Sequence, residues 1–487
     1  MKKLQILLFV TVIGCPLLTI GQTKIEGHWG KPYLNIAYSC AATRDSGYIL
    51  TGLTKNGINN AYGDIIVVKL NSMGDTLWTY LLAAPLLQGG NCVIQSADGG
   101  YMVSGHTQNY GSVDCDAYFM KLDSLGNYQW LTHYGGFADD IAEGTIQMPD
   151  GGFVCAGITE SFGNPDTSIR NRHIYFVRID SIGDTVWTKW YAGSNEEYGY
   201  SIALSPTGGF FADGWSSSWG AGEKDGWLFR LDNSGNLLWK KLFKSDTGDT
   251  KLFKIIPTSD GGYVLAGGTS QPLNSSSSQI YNHSQGLAIK VDSGGNVLWQ
   301  KTYGLVTDGI QLHDVAQLPN GDLLFTGYSF VNDSTGNAYV LTTDTGGNKI
   351  SDSYYGGEYS YACGIALQGN NSYLIAGTTS QYGNSYGDLY WMEMRNADAA
   401  VPTLKKLTAK LYPNPVRDIS EIVLPAPYAT QHVMLEITTT DGKIISKKDN
   451  LAARDLVINK KEMTTGVYLY KVTVADGTVF AGKFQVE

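Results

Sequence analysis

The chain alternates short apolar stretches with turns rich in Gly, Asp and Asn, and one phrase of this pattern occurs seven times. The phrase is an aromatic residue or Leu, three residues, Gly, any residue, and then Thr or Ser. Successive anchors lie 53, 52, 57, 53, 60 and 50 residues apart. The anchors are Tyr48, Tyr101, Phe153, Phe210, Tyr263, Leu323 and Tyr373, followed four residues later by Gly52, Gly105, Gly157, Gly214, Gly267, Gly327 and Gly377. Such a period indicates repeated supersecondary units that stack on their neighbours.

A second phrase follows each anchor and ends in a turn and a Trp. Lys121-Leu122-Asp123, Gly126 and Trp130 show it in full. Related copies are Asn71/Gly74/Trp78, Asp180/Gly183/Trp187, Asp232/Gly235/Trp239, Asp292/Gly295/Trp299 and Asp344/Gly347/Ile350. The Asp side chain can bond the turn backbone, and Gly adopts positive φ at little cost. Each period therefore holds four strands, the content of one β-propeller blade, and we expect the Trp residues to pack between blades.

The seventh copy stops at Glu393-Met394-Arg395, before the turn. In full repeats the Trp strand ends at an aromatic residue beside Gly, as at Tyr134. The interval from Tyr134 to the next anchor, Phe153, equals the interval from Trp29 to Tyr48. We therefore predict that residues near Lys24 to Trp29 supply the outer strand of blade seven and close the ring, which hides the sheet edges. The predicted fold of residues 22–396 is an all-β, seven-bladed β-propeller.

These repeats resemble the quinoprotein-like propeller repeat, with its Leu-Asp, turn Gly and following Trp, and more loosely the kelch repeat. Here Asp and Gly lie three residues apart and the Gly-Gly pair falls far before the Trp, which departs from both patterns. The resemblance implies the fold alone, because propellers support many functions.

A different pattern follows the linker predicted at residues 397–403. Short alternating strands with turns predict a small Ig-like β-sandwich over residues 404–487. The segment resembles the type A sorting domain of type IX secretion substrates from Bacteroidetes-like bacteria. The residues that carry the resemblance are Tyr412, Pro413, Asn414, Pro415, Asp441-Gly442-Lys443, Gly466, Val467, Tyr468 and Lys483-Phe484. It implies passage through the periplasm, an interaction of residues 404–487 with the type IX machinery, and release or attachment at the cell surface.

The N-terminus predicts export as well. Two lysines precede an apolar run that ends near Ile20, and cleavage after Gly21 gives a signal peptide of residues 1–21. Val12-Ile13-Gly14-Cys15 also resembles a lipobox, in which Cys15 would be lipidated and become the N-terminus, and this alternative stays open. The rest of the chain contains no candidate transmembrane segment.

Composition narrows the function classes. The net charge of −10 argues against nucleic-acid binding, which needs a clustered basic face. The five cysteines outside the leader lack the spacing of a zinc site or disulfide scaffold, and we expect them to be buried thiols. Motifs for common hydrolases, nucleotide binding or calcium are not found, so we expect no metal, no cofactor and no enzymatic activity. Acids recur at the start of the third strands, as Asp64, Asp116, Asp225 and Asp388, which favours a structural turn over a catalytic pair.

The longest connections between second and third strands belong to blades three and five. Each connection is measured from the Thr of the first phrase to the basic residue that opens the second phrase. The two longest run from Thr159 to Arg178 and from Thr269 to Lys290. With alternating strand directions, they share a face with the blade-to-blade connections. Their aromatic, amide and basic side chains suit a glycan or peptide ligand, although solvated loop insertions without a ligand are the alternative. The candidate ligand-binding residues are Phe162, Arg170, Arg172, His173, Tyr281, Asn282 and His283.

The sequence thus predicts a secreted or surface-bound binding protein for a glycan or protein. One alternative is a secreted propeller enzyme, such as a polysaccharide lyase or hydrolase, which needs convergent carboxylates or a His/Tyr pair. Another is a structural component of a surface assembly, for which a broad apolar patch is expected.

Overall fold

The computed structural model describes residues 23–30, 34–55, 63–83, 88–108, 114–164, 169–220, 224–244, 248–270, 284–332, 335–356, 359–369, 372–380, 387–395, 410–412, 414–424, 432–439, 443–453, 456–474 and 479–487. The chain forms two compact units, Met1–Asn396 and Ala397–Glu487. The predicted signal peptide, Cys15 and the predicted linker at 397–403 lie outside the described residues.

The described part of the first unit contains seven four-stranded antiparallel sheets, which are the blades of a β-propeller. The strands of blades one to three are β2 (Asn35–Ala42), β3 (Tyr48–Thr54), β4 (Asp64–Leu70), β5 (Thr76–Leu82), β6 (Gln88–Gln95), β7 (Tyr101–Gln108), β8 (Cys115–Leu122), β9 (Tyr128–Tyr134), β10 (Asp140–Gln147), β11 (Phe153–Thr159), β12 (His173–Ile179) and β13 (Thr185–Tyr191), after β1 (Thr23–Trp29) at the start. Those of blades four and five are β14 (Glu197–Leu204), β15 (Phe210–Ser216), β16 (Asp225–Leu231), β17 (Leu237–Phe243), β18 (Thr250–Pro257), β19 (Tyr263–Ser270), β20 (Ser284–Val291) and β21 (Val297–Tyr303). Those of blades six and seven are β22 (Ile310–Gln317), β23 (Leu323–Asn332), β24 (Thr335–Thr343), β25 (Lys349–Tyr355), β26 (Tyr361–Leu367), β27 (Ser372–Thr379) and β28 (Asp388–Arg395), with a short 3-10 turn at Val306–Asp308.

The ring closes as the sequence predicts. Blades one to six each consist of four consecutive strands, whereas blade seven has the order β1-β28-β27-β26. β1 pairs antiparallel with β28 from Thr23 opposite Arg395 to Trp29 opposite Leu389. The first strand of each blade contacts the first strand of the next blade, and β26 contacts β2. The predicted closure by residues near Lys24 to Trp29 is therefore confirmed.

The turns between third and fourth strands confirm the predicted Asp-x-x-Gly chemistry. Asp123 Oδ1 accepts hydrogen bonds from the backbone N–H groups of Leu125 and Asn127, each at 2.8 Å. Asn127 Nδ2 donates to Asp123 Oδ2 at 2.8 Å. Gly126 completes the turn with a φ of +86°, a conformation that disfavours residues with a Cβ. The Asp123 carboxylate thus supplies the acceptor for two backbone N–H groups inside the turn.

The Trp residues pack between blades, as predicted. The ring of Trp78 in blade one lies against Gly126 in the turn of blade two, and Trp130, Trp187, Trp239 and Trp299 each contact the turn Gly of the following blade. In blade seven Trp391 Nε1 donates to the carbonyl of Gly74 at 3.1 Å. Tyr303 adds a hydroxyl that donates to the carbonyl of Gly347 in the next blade at 2.9 Å. Each turn is therefore also a docking point for the preceding blade.

A buried basic residue near the end of the third strand anchors the first hairpin of several blades. Lys121 Nζ lies 2.8 Å from Asp98 in the turn between the first two strands of blade two. The equivalent pairs are Lys69 with Asp45, Arg178 with Asp150, and Lys290 with Asp260. Burial opposes ionisation of these acids, yet hydrogen bonds from lysine lower the pKa of Asp98 and Asp260 to about 2. The constant position of the basic residue in the repeat thus has a structural origin.

Two of the recurring acids at the third strands, Asp116 and Asp388, lie at seams between blades. Asp116, the second residue of β8, and Asp140, the first residue of β10, both place their carboxyl groups against Gly135. Gly30 lies against Asp388 and Asn35 in the same way. The four acids lie within the third strands rather than in a turn, and the choice between a structural and a catalytic role stays a prediction.

The second unit contains two sheets, as expected for a small Ig-like sandwich. The strands are β29 (Lys410–Tyr412), β30 (Ile419–Val423), β31 (His432–Thr439), β32 (Ile444–Ala452), β33 (Val457–Asn459), β34 (Gly466–Val474) and β35 (Val479–Val486), with a 3-10 turn at Lys460–Glu462. The sheet orders are β29-β30-β33 and β32-β31-β34-β35. Their inner faces form one apolar core that includes Ile422, Leu435 and Phe484. Within the described ranges of the whole chain, no helix has the length and apolar character needed to cross a membrane.

Candidate functional site

Every first strand of the propeller contains one extra residue relative to its partner strand. The pairing register shifts at the same place in all seven blades, between residues such as Ala142 and Gly144 in blade three. The extra residues are Tyr38, Asn91, Glu143, Tyr200, Phe253, His313 and Cys363, which we call the bulge ring. All seven line one central cavity of about 460 Å³. β-bulges commonly redirect a side chain, and here they bring seven side chains to one site.

The residues that follow the bulge ring in blades five and six form an ion pair in the cavity wall. Lys254 Nζ lies 3.4 Å from Asp314 Oδ1. Asp314 Oδ2 accepts from the backbone N–H of Ile365 at 2.8 Å, which ties the pair to blade seven. The carboxylate raises the pKa of Lys254, while burial acts in the opposite direction. The ammonium group therefore stays charged and is balanced by its neighbour.

Glu143 carries a second carboxyl group into the cavity. Burial raises its pKa to about 8, and a hydrogen bond from the side chain of Asn91 acts in the opposite direction. Asn91 Nδ2 also donates to the carbonyl of Ala142 at 3.1 Å. At neutral pH the carboxyl group of Glu143 is mostly protonated, so it can both donate and accept a hydrogen bond.

Aromatic rings form a continuous arc along one side of the cavity. Tyr200 and Phe253 have ring centroids 5.2 Å apart, and Phe253 stacks on His313 at 4.5 Å with an interplanar angle of 9°. His313 also contacts Tyr328 at 4.8 Å. Burial, helped by a nearby lysine, lowers the pKa of His313 to about 4. The imidazole is therefore neutral at physiological pH and extends the aromatic surface.

A cluster of aromatic and basic residues lies beside the cavity toward the start of the first strands. Tyr198 and Trp215 stack with centroids 4.2 Å apart. Lys224 and Lys251 place their Nζ atoms 5.3 and 5.6 Å from the Trp215 centroid, and Arg172 lies 5.4 Å from that of Tyr198. Each first strand begins at a blade-to-blade connection, and Tyr198 lies near the start of β14, two residues before its bulge-ring residue Tyr200. The cluster is therefore on the side of the blade-to-blade connections. Cations over aromatic faces are stabilised by the ring quadrupole.

The cysteine prediction is confirmed for three residues and needs revision for two. Cys40, Cys115 and Cys155 are buried free thiols. Cys92 and Cys363 are only partly buried and line the cavity. Burial raises the pKa of Cys363 to about 12, so its thiol stays protonated at neutral pH.

The predicted residues Phe162 and Arg172 both lie in the connection between the second and third strands of blade three. Phe162 stacks on Trp190 with centroids 5.4 Å apart. Arg172 Nε donates to Glu160 at 2.9 Å, and its guanidinium also donates to the hydroxyl of Tyr198. Arg172 therefore contacts Tyr198, a member of the aromatic and basic cluster beside the cavity.

The other two described candidates are engaged elsewhere. His173 is the first residue of β12, and only 2% of its side chain is exposed. Its Nδ1 lies 2.7 Å from Glu197 and its Nε2 lies 3.1 Å from Asn164. Arg170 is an exposed partner of Asp114, with Nη1 to Oδ1 at 2.7 Å. The blade-five candidates Tyr281, Asn282 and His283 lie outside the described residues. Ligand binding by these loops stays a prediction.

Sequence reasoning did not identify the bulge ring, although a signal exists. Each ring residue precedes the aromatic or Leu anchor of its repeat by ten positions, as Tyr38 precedes Tyr48 and Glu143 precedes Phe153. The residue before it is small or aliphatic in every copy, whereas the ring position carries seven side chains of six types. When one position of a regular repeat carries a different side chain in most copies, a functional site built on the repeated fold is expected there.

The sorting-motif residues are part of the second unit's own packing. Asn414 Oδ1 accepts from the backbone N–H of Gln485 at 3.0 Å. Tyr468 stacks on Phe484 at 5.7 Å, and its hydroxyl donates to the carbonyl of Thr464 at 2.8 Å. Pro415 follows Asn414, and Gly466 and Val467 begin β34. Pro413 and the side chain of Tyr412 lie outside the described residues.

The fold and this terminal unit define an exported β-propeller with a sorting tail. Residues 410–487 match the family of secretion system C-terminal sorting domains. The match supports delivery by type IX secretion and an interaction of the tail with that machinery. The protein is therefore exported to the cell surface or secreted. A search among curated proteins finds no match.

Solved structures with similarity to the chain include propellers of bacterial and fungal origin. PorZ, a surface component of the type-IX secretion system of Porphyromonas gingivalis, has 10% identity and a TM-score of 0.34 over 93% of this chain and 81% of its own. The Pan2 WD40 domain of Neurospora crassa has 10% identity and a TM-score of 0.44 over 73% of this chain and 88% of its own. The extracellular domain of the putative one component system BT4673 from B. thetaiotaomicron has 9% identity and a TM-score of 0.44 over 95% of this chain and 58% of its own. Similarities at this level do not indicate a ligand.

Proposed function

We propose that the propeller is a non-enzymatic binding module of an exported protein and that its ligand occupies the central cavity. The observation that carries this proposal is the bulge ring. Seven blades that are otherwise alike direct side chains of different chemistry into the same space. Packing alone favours similar residues at equivalent repeat positions, so this diversity is better explained by recognition of a ligand.

The position and size of the cavity support the same function. A volume of about 460 Å³ falls within the range of small-molecule sites. The aromatic and basic cluster around Tyr198 and Trp215 lies on the face of the blade-to-blade connections. That face also carries Phe162 and Arg172, the candidates from the sequence. We propose that the ligand enters from this side and that the blade-three loop contributes to its approach.

Binding without turnover is supported by the state of Lys254 and His313, two of the titratable groups in the cavity. Lys254 is held by Asp314, and His313 is stacked between Phe253 and Tyr328. A general base needs a free lone pair within reach of the substrate proton and a pKa near the working pH. The charge on Lys254 and the low pKa of His313 make both poor bases at neutral pH.

The test is a glycan and protein array with the exported chain, residues 22–487, and two variants. Phe253→Ala removes part of the aromatic wall of the cavity, whereas Arg170→Ala changes an exposed loop residue of blade three. The proposal predicts a bound ligand whose signal falls at least about tenfold in Phe253→Ala and less than about twofold in Arg170→Ala. Thermal melting of both variants controls for folding. A ligand lost in Arg170→Ala and kept in Phe253→Ala would place recognition in the loops instead.

A secreted polysaccharide lyase or hydrolase remains the second candidate, because Glu143 and His313 do converge on one cavity. A general acid with a raised pKa is a recurrent element of glycoside cleavage. This alternative predicts release of reducing ends or unsaturated uronates from a bound polysaccharide, and loss of that release in Glu143→Gln. Binding of an array glycan with no product after prolonged incubation supports the non-enzymatic proposal.

A further inference from the structure

We propose that the central cavity takes an uncharged pyranose unit, either a free monosaccharide or the end of a glycan chain. This inference rests on the proposed function of the cavity and names the chemistry of its ligand. It follows from three properties of the cavity wall: its charges are already balanced, its polar groups both donate and accept, and its aromatic surface is large.

The charge balance disfavours an ionic ligand. Lys254 and Asp314 neutralise one another at 3.4 Å, and the neighbouring imidazole of His313 is uncharged. Burial raises the pKa of Asp213, the fully buried acid of β15, well above its usual value, against the opposing field of Lys254. Among the described residues that line the cavity, a charged ligand would lose its hydration without gaining a counter-ion that is not already paired, which is costly.

The polar groups of the ring suit hydroxyl groups. The protonated carboxyl of Glu143, the amide of Asn91 and the phenol of Tyr38 can each donate and accept. Burial raises the pKa of Tyr38 to about 12, so its hydroxyl keeps its proton. Sugar hydroxyls are likewise both donors and acceptors, and they match such groups without proton transfer or a change of charge.

The aromatic arc supplies the complementary apolar surface. Tyr200, Phe253 and His313 present adjoining rings along one side of the cavity. A pyranose ring has apolar C–H faces and a polar rim, so it can cover such an arc while its hydroxyls face Glu143 and Asn91. An extended peptide offers no equivalent flat C–H face, and its charged termini or side chains would meet the balanced wall described above.

The experiment uses matched sugars in which one neutral group, the 2-hydroxyl or the C6 hydroxymethyl, is replaced by a charged group. Calorimetric titration of the exported chain is performed with glucose, glucosamine and glucuronate, and with the galactose and mannose counterparts of each. The inference predicts that in at least one series the neutral sugar binds about tenfold or more tightly than both charged analogues. Short oligosaccharides with the same terminal unit distinguish a free monosaccharide from a glycan end: tighter binding of the oligosaccharide identifies the chain end.

Variants assign that binding to the cavity. Phe253→Ala should lower the affinity for the neutral sugar at least about tenfold, and Glu143→Ala should lower it about fivefold or more. Glu143→Gln should change affinity less than about threefold, because an amide also donates and accepts. Lys349→Ala, which removes an exposed partner of Asp352 on the outer strand of blade six, serves as the folded control.

The outcomes separate the inference from the function on which it rests. Preferred cavity-dependent binding of glucosamine or glucuronate types would overturn the uncharged-sugar inference and leave a binding cavity in place. An array ligand of another class that depends on Phe253 would do the same. If neither the sugars nor any array ligand depends on Phe253, both the inference and the proposed cavity function are wrong.

Discussion

Asp116 and Asp140 bring two carboxyl groups together at the seam between blades two and three. Asp140 is fully buried, accepts from Ser161 Oγ at 2.6 Å and from the Gly136 N–H at 2.9 Å, and lies with Asp116 against Gly135. Burial, with a smaller contribution from Asp116, raises the pKa of Asp140 to about 6, while those hydrogen bonds act against the shift. The seam therefore carries a carboxyl group that is neutral below about pH 6 and charged above it.

The sign of the resulting pH dependence follows from this raised pKa. The contribution of Asp140 to stability is complete below the ordinary pKa of an aspartate and is lost as the pH rises through about 6. Asp140→Asn removes this loss, and we expect it to stabilise the propeller by roughly 1–3 kcal/mol at pH 8 and by little at pH 4. Urea unfolding at the two pH values measures the difference. Equal effects at both would show that ionisation of Asp140 does not limit stability.

Asp98 should behave in the opposite way. Hydrogen bonds from Lys121 and Ser96 outweigh burial and hold its pKa at about 2, so its contribution is present above the ordinary pKa and is lost only as the pH falls through about 2. Asp98→Asn leaves the buried ammonium of Lys121 without its carboxylate partner, which is 2.8 Å away in the native chain. We expect a lower urea midpoint for this variant at pH 7. An unchanged midpoint would mean that Lys121 is satisfied by its bond to the Leu122 carbonyl alone.

Side-chain roles were less predictable from sequence than the positions of the side chains. The repeat indicates the turn residue Asp123 and the packing residue Trp130 because their roles are local or common to every copy. The role of His173 is not local, since its partners Glu197 and Asn164 come from another blade and from the preceding loop. The bulge ring was missed for a related reason: the extra residue is defined by pairing with the next strand, which periodicity alone does not show.

At the element scale, the turn between third and fourth strands combines two constraints that can be separated. Gly235 has a φ of +76°, and a Cβ there would lie 2.7 Å from the ring of Trp187 in the preceding blade. Gly261, in the turn between the first and second strands of blade five, has a similar φ of +81°, but a Cβ there would meet nothing within 4 Å. The pair distinguishes backbone strain from loss of inter-blade packing.

We expect Gly261→Ala to cost about 1 kcal/mol, from the strained backbone conformation alone. Gly235→Ala should cost at least about 1–2 kcal/mol more, because the ring of Trp187 must move. Equilibrium unfolding followed by tryptophan fluorescence measures both. Similar losses in the two variants would contradict the packing role of the turn.

The elements themselves were largely predictable. The spacing from each anchor places four strands in every copy, and the interval from Trp29 to Tyr48 alone is enough to assign β1 to blade seven. The described strands agree because local turn chemistry and period coincide in all copies. The loops of blades three and five follow no repeat, so their conformation could not be derived in this way.

On the scale of the whole propeller, closure depends on a strand distant in sequence from its blade. β1 covers the edge of β28, Glu26 accepts from the hydroxyl of Tyr390, and Trp391 occupies the space beside Gly27. Without β1, blade seven would expose an unpaired strand, which favours association with other chains.

Replacement of residues 23–29 by a Gly/Ser segment of equal length tests this closure. We expect the melting temperature to fall by at least about 5 °C and the chain to associate, as measured by calorimetry and sedimentation velocity. A monomeric variant with an unchanged melting temperature would show that the ring is held by its inner strands alone.

The central claim is that the bulge ring forms the ligand site of an exported binding propeller. Its most direct test is a crystal structure of the exported chain with the strongest-binding compound from the arrays. The account predicts electron density for that compound inside the ring, in contact with Phe253 and within hydrogen-bonding distance of Glu143 or Asn91. Density confined to the loops of blades three and five, with the ring side chains unoccupied by ligand, would contradict it.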